Sequence, residues 1–177
     1  MRLLLLFLGL ALWAPAVLAQ ALSPQDKERL LKDREGFLEA AATATHWFGD
    51  PRGLNAQAVE DYVAAARAGR RADVLALLAQ ADLSDDGVVT LAEVERLAPG
   101  LSPTLRGKLI AAAGQADIDH DASLSAVEQL TYARAEALRL FPDQKARDLR
   151  LMLLFDGNGD GWVTYEEVVQ KLKDLAA

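Results

Sequence analysis

The sequence predicts an all-α protein in which short helices alternate with long polar loops. Residues with high helix propensity (Ala, Leu, Glu, Lys and Arg) are abundant, whereas only 6% of the 177 residues are aromatic. Ser23-Pro24 and Ser102-Pro103 each combine an N-cap residue with a proline at the first helical position. Asp-led loops that recur along the chain are the third observation. Together these features predict four helix–loop–helix units arranged as two pairs.

The order of the helices follows from apolar residues spaced three and four apart. Helices are predicted over residues 24–47, 59–69, 74–81, 91–97, 103–116, 126–140, 143–155 and 165–175. Glycine and proline interrupt the pattern at residues 49–53, which predicts the first loop. Short linkers are predicted near Gly69, Pro99-Gly100 and Pro142 for the same reason.

The N-terminus has the pattern of a secretory signal peptide over residues 1–19. Arg2 precedes an apolar run from Leu3 to Trp13, and Val17-Leu18-Ala19 is typical of a cleavage site. The apolar run is too short to span a bilayer comfortably. We therefore expect a periplasmic or secreted protein with no membrane span after the leader is removed. The sequence has no cysteine, which excludes disulfides, thiol catalysis and a lipid-modified cysteine.

The chain carries a strong negative charge. It has 19 Lys and Arg residues and 26 Asp and Glu residues, which give a formal net charge of −7. An acidic chain is repelled by the phosphate backbone of nucleic acids, so no nucleic acid is expected as a partner. Its carboxylates must instead repel one another, take up protons or hold cations.

The loops recur in one register, which indicates an internal repeat. The segment 78–82 ends in Asp82 and has a counterpart in the segment 113–117, which ends in Asp117. A further Asp-led loop begins at Asp156. Extending the repeat towards the N-terminus leads to a fourth loop, which begins where the first predicted helix ends.

The last loop, residues 156–167, carries the clearest chemical pattern. Its sequence, DGNGDGWVTYEE, matches D-x-[DN]-x-[DN]-G-x₅-E without departure. In this spacing the oxygens at the first, third and fifth positions of a coiled loop face one point, and Gly161 permits the sharp turn. The loop therefore resembles the calcium-binding loop of the EF-hand family.

The resemblance extends to residues 82–93 and 117–128, each with one departure. Ser84 places a neutral oxygen at the third position of the 82–93 loop. Ala122 replaces the turn glycine of the 117–128 loop, where a left-handed conformation costs an L-residue about 1–2 kcal/mol. The four carboxylates of the 117–128 loop are expected to offset that cost when a divalent cation is bound.

The EF-hand resemblance implies a specific set of calcium ligands. Side-chain oxygens come from the first, third and fifth positions, a backbone carbonyl from the seventh, and a bidentate glutamate from the twelfth. The implied ligands are Asp82, Ser84, Asp86, Val88 and Glu93; Asp117, Asp119, Asp121, Ser123 and Glu128; and Asp156, Asn158, Asp160, Trp162 and Glu167. About three calcium ions are therefore expected, and calcium is the implied cofactor.

The glutamates also have an interpretation that needs no metal. Thr90, Ser125 and Thr164 each precede the twelfth-position glutamate by three residues, which is the pattern of a helix capping box. A capping box alone explains the glutamates. It does not explain the aspartates at the first and fifth positions of three loops.

Residues 47–58 occupy the same register but lack the ligand chemistry. Tryptophan, glycine and proline stand at the first three ligand positions, and Ala58 replaces the glutamate. Leu54 retains the apolar eighth position, and Asn55 stands at the predicted N-cap of the next helix. We interpret the segment as a degenerate unit that supports its neighbour and holds no metal, with an unrelated helical connection as the alternative.

The order of the units in the chain predicts how they pair. We expect an N-terminal pair over residues 24–97 and a C-terminal pair over residues 103–176. The pairs are expected to meet through the eighth residues of their loops. The expected contacts are Leu54 with Val89 or its neighbour, and Leu124 with Val163.

These expectations favour an exported calcium-binding protein that is a buffer, a sensor or a calcium-dependent binder of one exported protein. The alternative is a structural interaction protein whose calcium is permanently bound. Only Met152 remains outside the predicted leader, which argues against a Met-rich sensor groove. The sequence has no serine-centred elbow, glycine-rich phosphate loop or His-Glu zinc pair, so no enzymatic activity is expected.

Overall fold

The structure, a computed structural model, describes residues 22–177. The predicted signal peptide, residues 1–19, lies outside the described residues. Residues 22–177 form eight α-helices and one small two-stranded sheet, so the prediction of an all-α protein is confirmed. Among these helices, none has both the length and the apolar character that crossing a membrane requires.

The helices are joined by loops that contain the predicted motifs. In chain order the helices are α1 (Pro24–Lys32), α2 (Arg34–Phe48), α3 (Ala56–Ala79), α4 (Leu91–Leu97), α5 (Pro103–Ala116), α6 (Ala126–Leu140), α7 (Asp143–Leu151) and α8 (Tyr165–Ala176). The strands are β1 (Val89–Thr90) and β2 (Ser123–Leu124). Two 3-10 turns cover Ala98–Gly100 and Met152–Phe155.

Side-chain caps begin three of these helices where the sequence predicts. The side chains of Ser23, Asn55 and Ser102 each accept a hydrogen bond from the backbone N–H three residues further on. Each cap satisfies an N–H group that has no partner inside its helix. The starts of α1, α3 and α5 are therefore determined locally.

The structure contradicts the predicted helix break near Gly69 and the predicted continuous helix through Asp33. The predicted helix over residues 24–47 is interrupted at Asp33, whose φ of −117° and ψ of 47° are not helical. The predicted linker near Gly69 does not form, because α3 runs through it as one helix of 24 residues. A glycine inside a helix costs only about 1 kcal/mol relative to alanine. The burial of Val63 on one side of Gly69 and of Leu78 on the other holds α3 together across it.

The buried residues form two hydrophobic cores. The first core combines residues 30–63 with residues 141–172, which are far apart in sequence. The second core lies between Leu78 and Leu124. Helix α3 contributes Val63 to the first core and Leu78 to the second. Neither core follows the expected division of the chain between residues 97 and 103.

The loops pair in a different combination from the one that chain order predicts. Val89 pairs with Leu124 in the antiparallel β1–β2 ladder, and Leu54 forms an isolated antiparallel bridge with Val163. The expected contacts of Leu54 with Val89 and of Leu124 with Val163 are therefore wrong. The first loop pairs with the fourth, and the second pairs with the third.

The continuity of α3 explains this pairing. A helix of 24 residues is about 36 Å long at 1.5 Å per residue. The 47–58 loop lies at its start and the 82–93 loop at its end, so these two loops are too far apart to pair. The 82–93 loop instead meets the 117–128 loop, to which the short helices α4 and α5 connect it.

Candidate cation-binding loops

The same backbone conformation occurs in three loops, at residues 82–93, 117–128 and 156–167. In each loop the fourth and sixth residues have positive φ values. These residues are Asp85 (59°) and Gly87 (81°), His120 (61°) and Ala122 (67°), and Gly159 (75°) and Gly161 (83°). The left-handed conformation predicted for Ala122 is confirmed. Asp and His occupy this region more readily than most side chains, which suits Asp85 and His120 to the fourth position.

The carboxylate of the first-position aspartate accepts hydrogen bonds from backbone N–H groups of its own loop. Both carboxylate oxygens of Asp82 accept backbone hydrogen bonds, one from Asp86 at 3.2 Å and one from Gly87 at 2.9 Å. Asp156 accepts in the same way, from Gly159 at 2.7 Å and Gly161 at 2.8 Å. These bonds fold the loop around the first-position carboxylate.

The third and fifth positions form turns of the same kind. The fifth-position carboxylates accept the N–H of the seventh residue at 2.8 Å, and the pairs are Asp86 with Val88, Asp121 with Ser123, and Asp160 with Trp162. At the third position, Asp119 accepts from Asp121 at 3.3 Å and Asn158 accepts from Asp160 at 2.8 Å. Ser84 donates its hydroxyl to Asp82 at 3.5 Å. All predicted side-chain ligands of the first five positions thus hydrogen-bond within their own loop.

The twelfth-position glutamates connect the two ends of each loop. One carboxylate oxygen of Glu93 accepts from the N–H groups of Leu83 and Ser84, both at 3.1 Å. The other accepts from the N–H and the hydroxyl of Thr90, at 2.9 and 2.8 Å. These bonds, with the Thr90 N–H the strongest influence, lower the pKa of Glu93 to about 2. Glu93 is therefore an anion at neutral pH although it is only 5% exposed.

Glu128 and Glu167 repeat this arrangement. Glu128 accepts from Ile118 N–H at 3.0 Å and from both donors of Ser125. Glu167 accepts from Gly157 N–H at 3.1 Å and from both donors of Thr164. In each case the capping residue's N–H is the main cause of a lowered pKa. Three capping boxes are thus present, and each glutamate also reaches the start of its own loop.

The 117–128 loop brings its carboxylates closest together. One oxygen each of Asp117, Asp119 and Glu128 lies within 4.8 Å of the other two. Asp117 is only 6% exposed, and its Oδ1 atom is buried without a hydrogen-bond partner among the described residues. Its Oδ2 atom accepts from Ala122 N–H at 3.2 Å. A buried anionic oxygen without a donor is costly, and a bound cation would offset that cost.

Within residues 22–177, the other two loops form no such group of three acidic residues. Their third positions are neutral, since Ser84 and Asn158 stand where the 117–128 loop has Asp119. The loop with the imperfect turn residue therefore has the most carboxylates at its proposed ligand positions. Sequence reasoning alone ranked the 156–167 loop first because its motif is complete.

The 47–58 loop has a different internal structure. Asp50 and Gly53 exchange two backbone hydrogen bonds of 3.0 and 2.9 Å. The Asp50 carboxylate accepts from the Arg52 N–H at 2.7 Å and forms a 2.8 Å salt bridge with its guanidinium. The predicted cap at Asn55 is confirmed, because its side chain accepts from Ala58 N–H at 2.8 Å. The carboxylate in this loop is thus bound to an arginine.

Arg52 also contacts the 156–167 loop, with which the 47–58 loop pairs. Its guanidinium carbon lies 3.8 Å from the centre of the Trp162 ring, the geometry of a cation–π contact. Backbone bonds of 2.8 Å in both directions join Leu54 to Val163 beside it. Sequence reasoning missed this contact, since no local signal connects positions so distant in the chain. A fixed positive charge therefore lies next to the seventh residue of the 156–167 loop.

Comparison with known proteins adds no identification: no family model, curated protein or solved structure matches this chain.

Proposed function

We propose that this protein is an exported calcium-binding protein with three EF-hand-like binding loops and one degenerate loop. The observation that carries the proposal is the convergence of Asp117, Asp119 and Glu128, together with the buried, unpartnered oxygen of Asp117. The same backbone course in the 82–93 and 156–167 loops extends the proposal to them. The leader pattern of residues 1–19 is the reason to propose export.

The donor atoms of the loops suit calcium. All of the proposed side-chain ligands supply oxygen, which hard cations such as calcium and magnesium prefer over nitrogen and sulfur. The ligands are Asp82, Ser84, Asp86 and Glu93; Asp117, Asp119, Asp121 and Glu128; and Asp156, Asn158, Asp160 and Glu167, with the carbonyls of Val88, Ser123 and Trp162. A loop that supplies about seven oxygens favours calcium, since magnesium keeps several waters and needs octahedral geometry. The bound ion would supply charge neutralisation inside each loop.

The site test is a calorimetric titration of chelator-treated protein with calcium. We expect about three ions per chain. Glu93→Gln, Glu128→Gln and Glu167→Gln should each remove one binding event, because glutamine retains the cap but lacks the bidentate carboxylate. Glu166→Gln is the matched control, since Glu166 is exposed and adjacent to Glu167 but outside the ligand set. One ion or fewer in the unsubstituted protein would contradict the proposal.

Trp162 offers an independent test of the 156–167 loop. Terbium binds oxygen-rich calcium sites and luminesces when an indole close to it is excited. We expect calcium-competed terbium luminescence that falls in Trp162→Phe, which retains the carbonyl ligand. It should persist in Trp47→Phe, whose side chain is 72% exposed and belongs to the degenerate loop. Loss of the signal in Trp47→Phe alone would place a metal in the 47–58 loop instead.

The role of the calcium has two proposed forms. In the first, the protein buffers or senses calcium, or binds one exported protein in response to it. In the second, calcium is permanently bound and stabilises an interaction module; sites in extracellular modules have Kd values of about 10⁻⁴–10⁻³ M. A pulldown from the exported fraction with and without added calcium distinguishes them, because only the first predicts capture that depends on added calcium.

A further inference from the structure

We infer that Gln129 links the 82–93 and 117–128 loops into one coupled binding unit, while the 156–167 loop binds independently. This inference rests on the proposed calcium-binding function. It adds a positioning residue that the loop motifs do not contain. It also divides the three sites into a coupled pair and a single site.

The two loops of the proposed pair are joined along their backbones. Val89 is opposite Leu124 and Thr90 is opposite Ser123 in the antiparallel β1–β2 ladder. Leu91 N–H extends this connection by donating to the Ala122 carbonyl at 3.0 Å. The backbone contacts therefore include the turn residue of the 117–128 loop and Leu91, the tenth residue of the 82–93 loop and the first of α4.

Gln129 adds a side-chain connection between the same loops. Its Nε2 group donates to the carbonyl of Gly87 at 3.0 Å and to the carbonyl of Leu124 at 2.9 Å. Gly87 is the sixth residue of the 82–93 loop, next to Val88, whose carbonyl is a proposed ligand. One amide group thus bridges the ligand-bearing turn of one loop and the paired strand of the other.

Gln129 is adjacent to a proposed calcium ligand, which connects its bridge to ion binding. It directly follows Glu128, the proposed bidentate ligand of the 117–128 loop, on the first turn of α6. Movement of Glu128 towards an ion therefore shifts Gln129, and with it the Gly87–Val88 turn. Occupation of either loop is expected to favour the arrangement that the other loop needs.

The 156–167 loop has no comparable partner among the described residues. It pairs with the 47–58 loop, whose Asp50 carboxylate is already bound to Arg52. No ion is proposed in the 47–58 loop, so it presents one fixed arrangement to the 156–167 loop. Binding at residues 156–167 should therefore follow a single-site curve.

The experiment measures how strongly one loop responds to loss of the other. Glu167→Gln first abolishes calcium binding at the 156–167 loop, so that calorimetry measures calcium binding at the proposed pair alone. In that background, adding Glu93→Gln should lower the calcium affinity of the 117–128 loop about fivefold or more, within the range typical of linked sites. This ratio of affinities is the coupling factor. Adding Gln129→Met should reduce the factor about threefold or more, because methionine keeps the side-chain length but cannot donate a hydrogen bond.

Gln170→Met is the matched control. Gln170 lies on α8 and donates to Asp174 on the same helix at 2.8 Å, so its loss should leave the factor unchanged. Gln129→Glu is a second variant that also lacks the donor. It should reduce the factor as Gln129→Met does, and melting curves followed by circular dichroism verify that each variant is folded.

A measurement without calcium completes the test. In chelator, Gln129→Met should accelerate amide exchange at Leu91, which lies in the connection, but not at Leu54, which lies in the other pair. An unchanged factor in both Gln129 variants would overturn the role of Gln129. Independent binding at the 82–93 and 117–128 loops of the unsubstituted protein would overturn the coupling while leaving calcium binding intact. Absence of calcium binding would instead refute the proposed function.

Discussion

Ala122 has a φ of 67° at the sixth position of the 117–128 loop, where the other two loops have glycine. Because alanine pays a steric cost in this region, Ala122→Gly should raise the free energy of unfolding of the calcium-saturated protein by about 1 kcal/mol. Gly161→Ala is the reverse substitution at the same position. Its φ is 83° and the added methyl meets no atom within 4 Å, so only the backbone cost applies. Urea denaturation measures the free energy of unfolding of both variants. Changes of the same sign would contradict a steric cost at the sixth position.

Arg52 places a positive charge over the ring of Trp162, the residue whose backbone carbonyl is a proposed ligand. Its removal in Arg52→Gln should tighten calcium binding at the 156–167 loop about two- to fivefold at low salt, because a like charge no longer opposes the ion. The gain should shrink as ionic strength rises, since Arg52 is exposed and its field is screened.

The matched control for this charge effect is Arg96→Gln, because Arg96 is an exposed residue of α4 in the other pair of units. Terbium luminescence through Trp162, titrated against calcium at two salt concentrations, reports the affinity of the 156–167 loop. Equal changes in the two variants would show that Arg52 acts only through the net charge of the protein.

At the scale of elements, the contact between the first and fourth loops depends on a close backbone approach. A methyl group added at Gly53 would collide with the Val163 carbonyl oxygen, and the φ of Gly53 is 120°. Gly53→Ala should therefore lower the free energy of unfolding by about 1–3 kcal/mol, the usual range for overpacking. It should also weaken calcium binding at the 156–167 loop, since Leu54 and Val163 are displaced.

Gly69→Ala is the control for Gly53→Ala. Gly69 lies inside α3, is exposed, and has no atom within 4 Å of an added methyl group. Alanine there should raise the free energy of unfolding by about 0.5–1 kcal/mol, because glycine loses more backbone freedom on folding. Destabilisation by Gly69→Ala in chemical denaturation would mean that α3 needs a break at this position, as the sequence first suggested.

At the scale of the whole molecule, negative charge connects calcium to stability. The chain has a formal net charge of −7, and three calcium ions would neutralise most of it. Calcium at 100 times its Kd stabilises a folded protein by about 2.7 kcal/mol per site. For a chain of this size we expect chelation to lower the Tm by about 10 °C or more. The loss should be greater at low ionic strength, where carboxylates repel more strongly.

Differential scanning calorimetry with calcium and with chelator, at two salt concentrations, measures this effect. The Glu93→Gln, Glu128→Gln and Glu167→Gln triple variant is the control, because its Tm should respond little to either addition. A Tm of the unsubstituted protein that chelator leaves unchanged would contradict a stabilising role for the ion.

Much of this architecture is encoded locally and can be predicted from the sequence. The caps at Ser23, Asn55 and Ser102 and the left-handed Ala122 each depend on hydrogen bonds or steric limits within a few residues. The capping boxes likewise follow from residues three apart. Such features form wherever their short sequence occurs, which is why the loops could be located from spacing alone.

The pairing of the loops was decided by the tertiary structure. Each loop presents an apolar residue at its eighth position, so Leu54, Val89, Leu124 and Val163 are interchangeable as far as local sequence is concerned. Packing across Gly69 keeps α3 continuous, and its length separates the first two loops. Local sequence determined the helix caps and the positions of the loops through short-range contacts. The fold alone determined which loops meet, as well as the contacts of Arg52 and Gln129, because these depend on how long helices pack between distant residues.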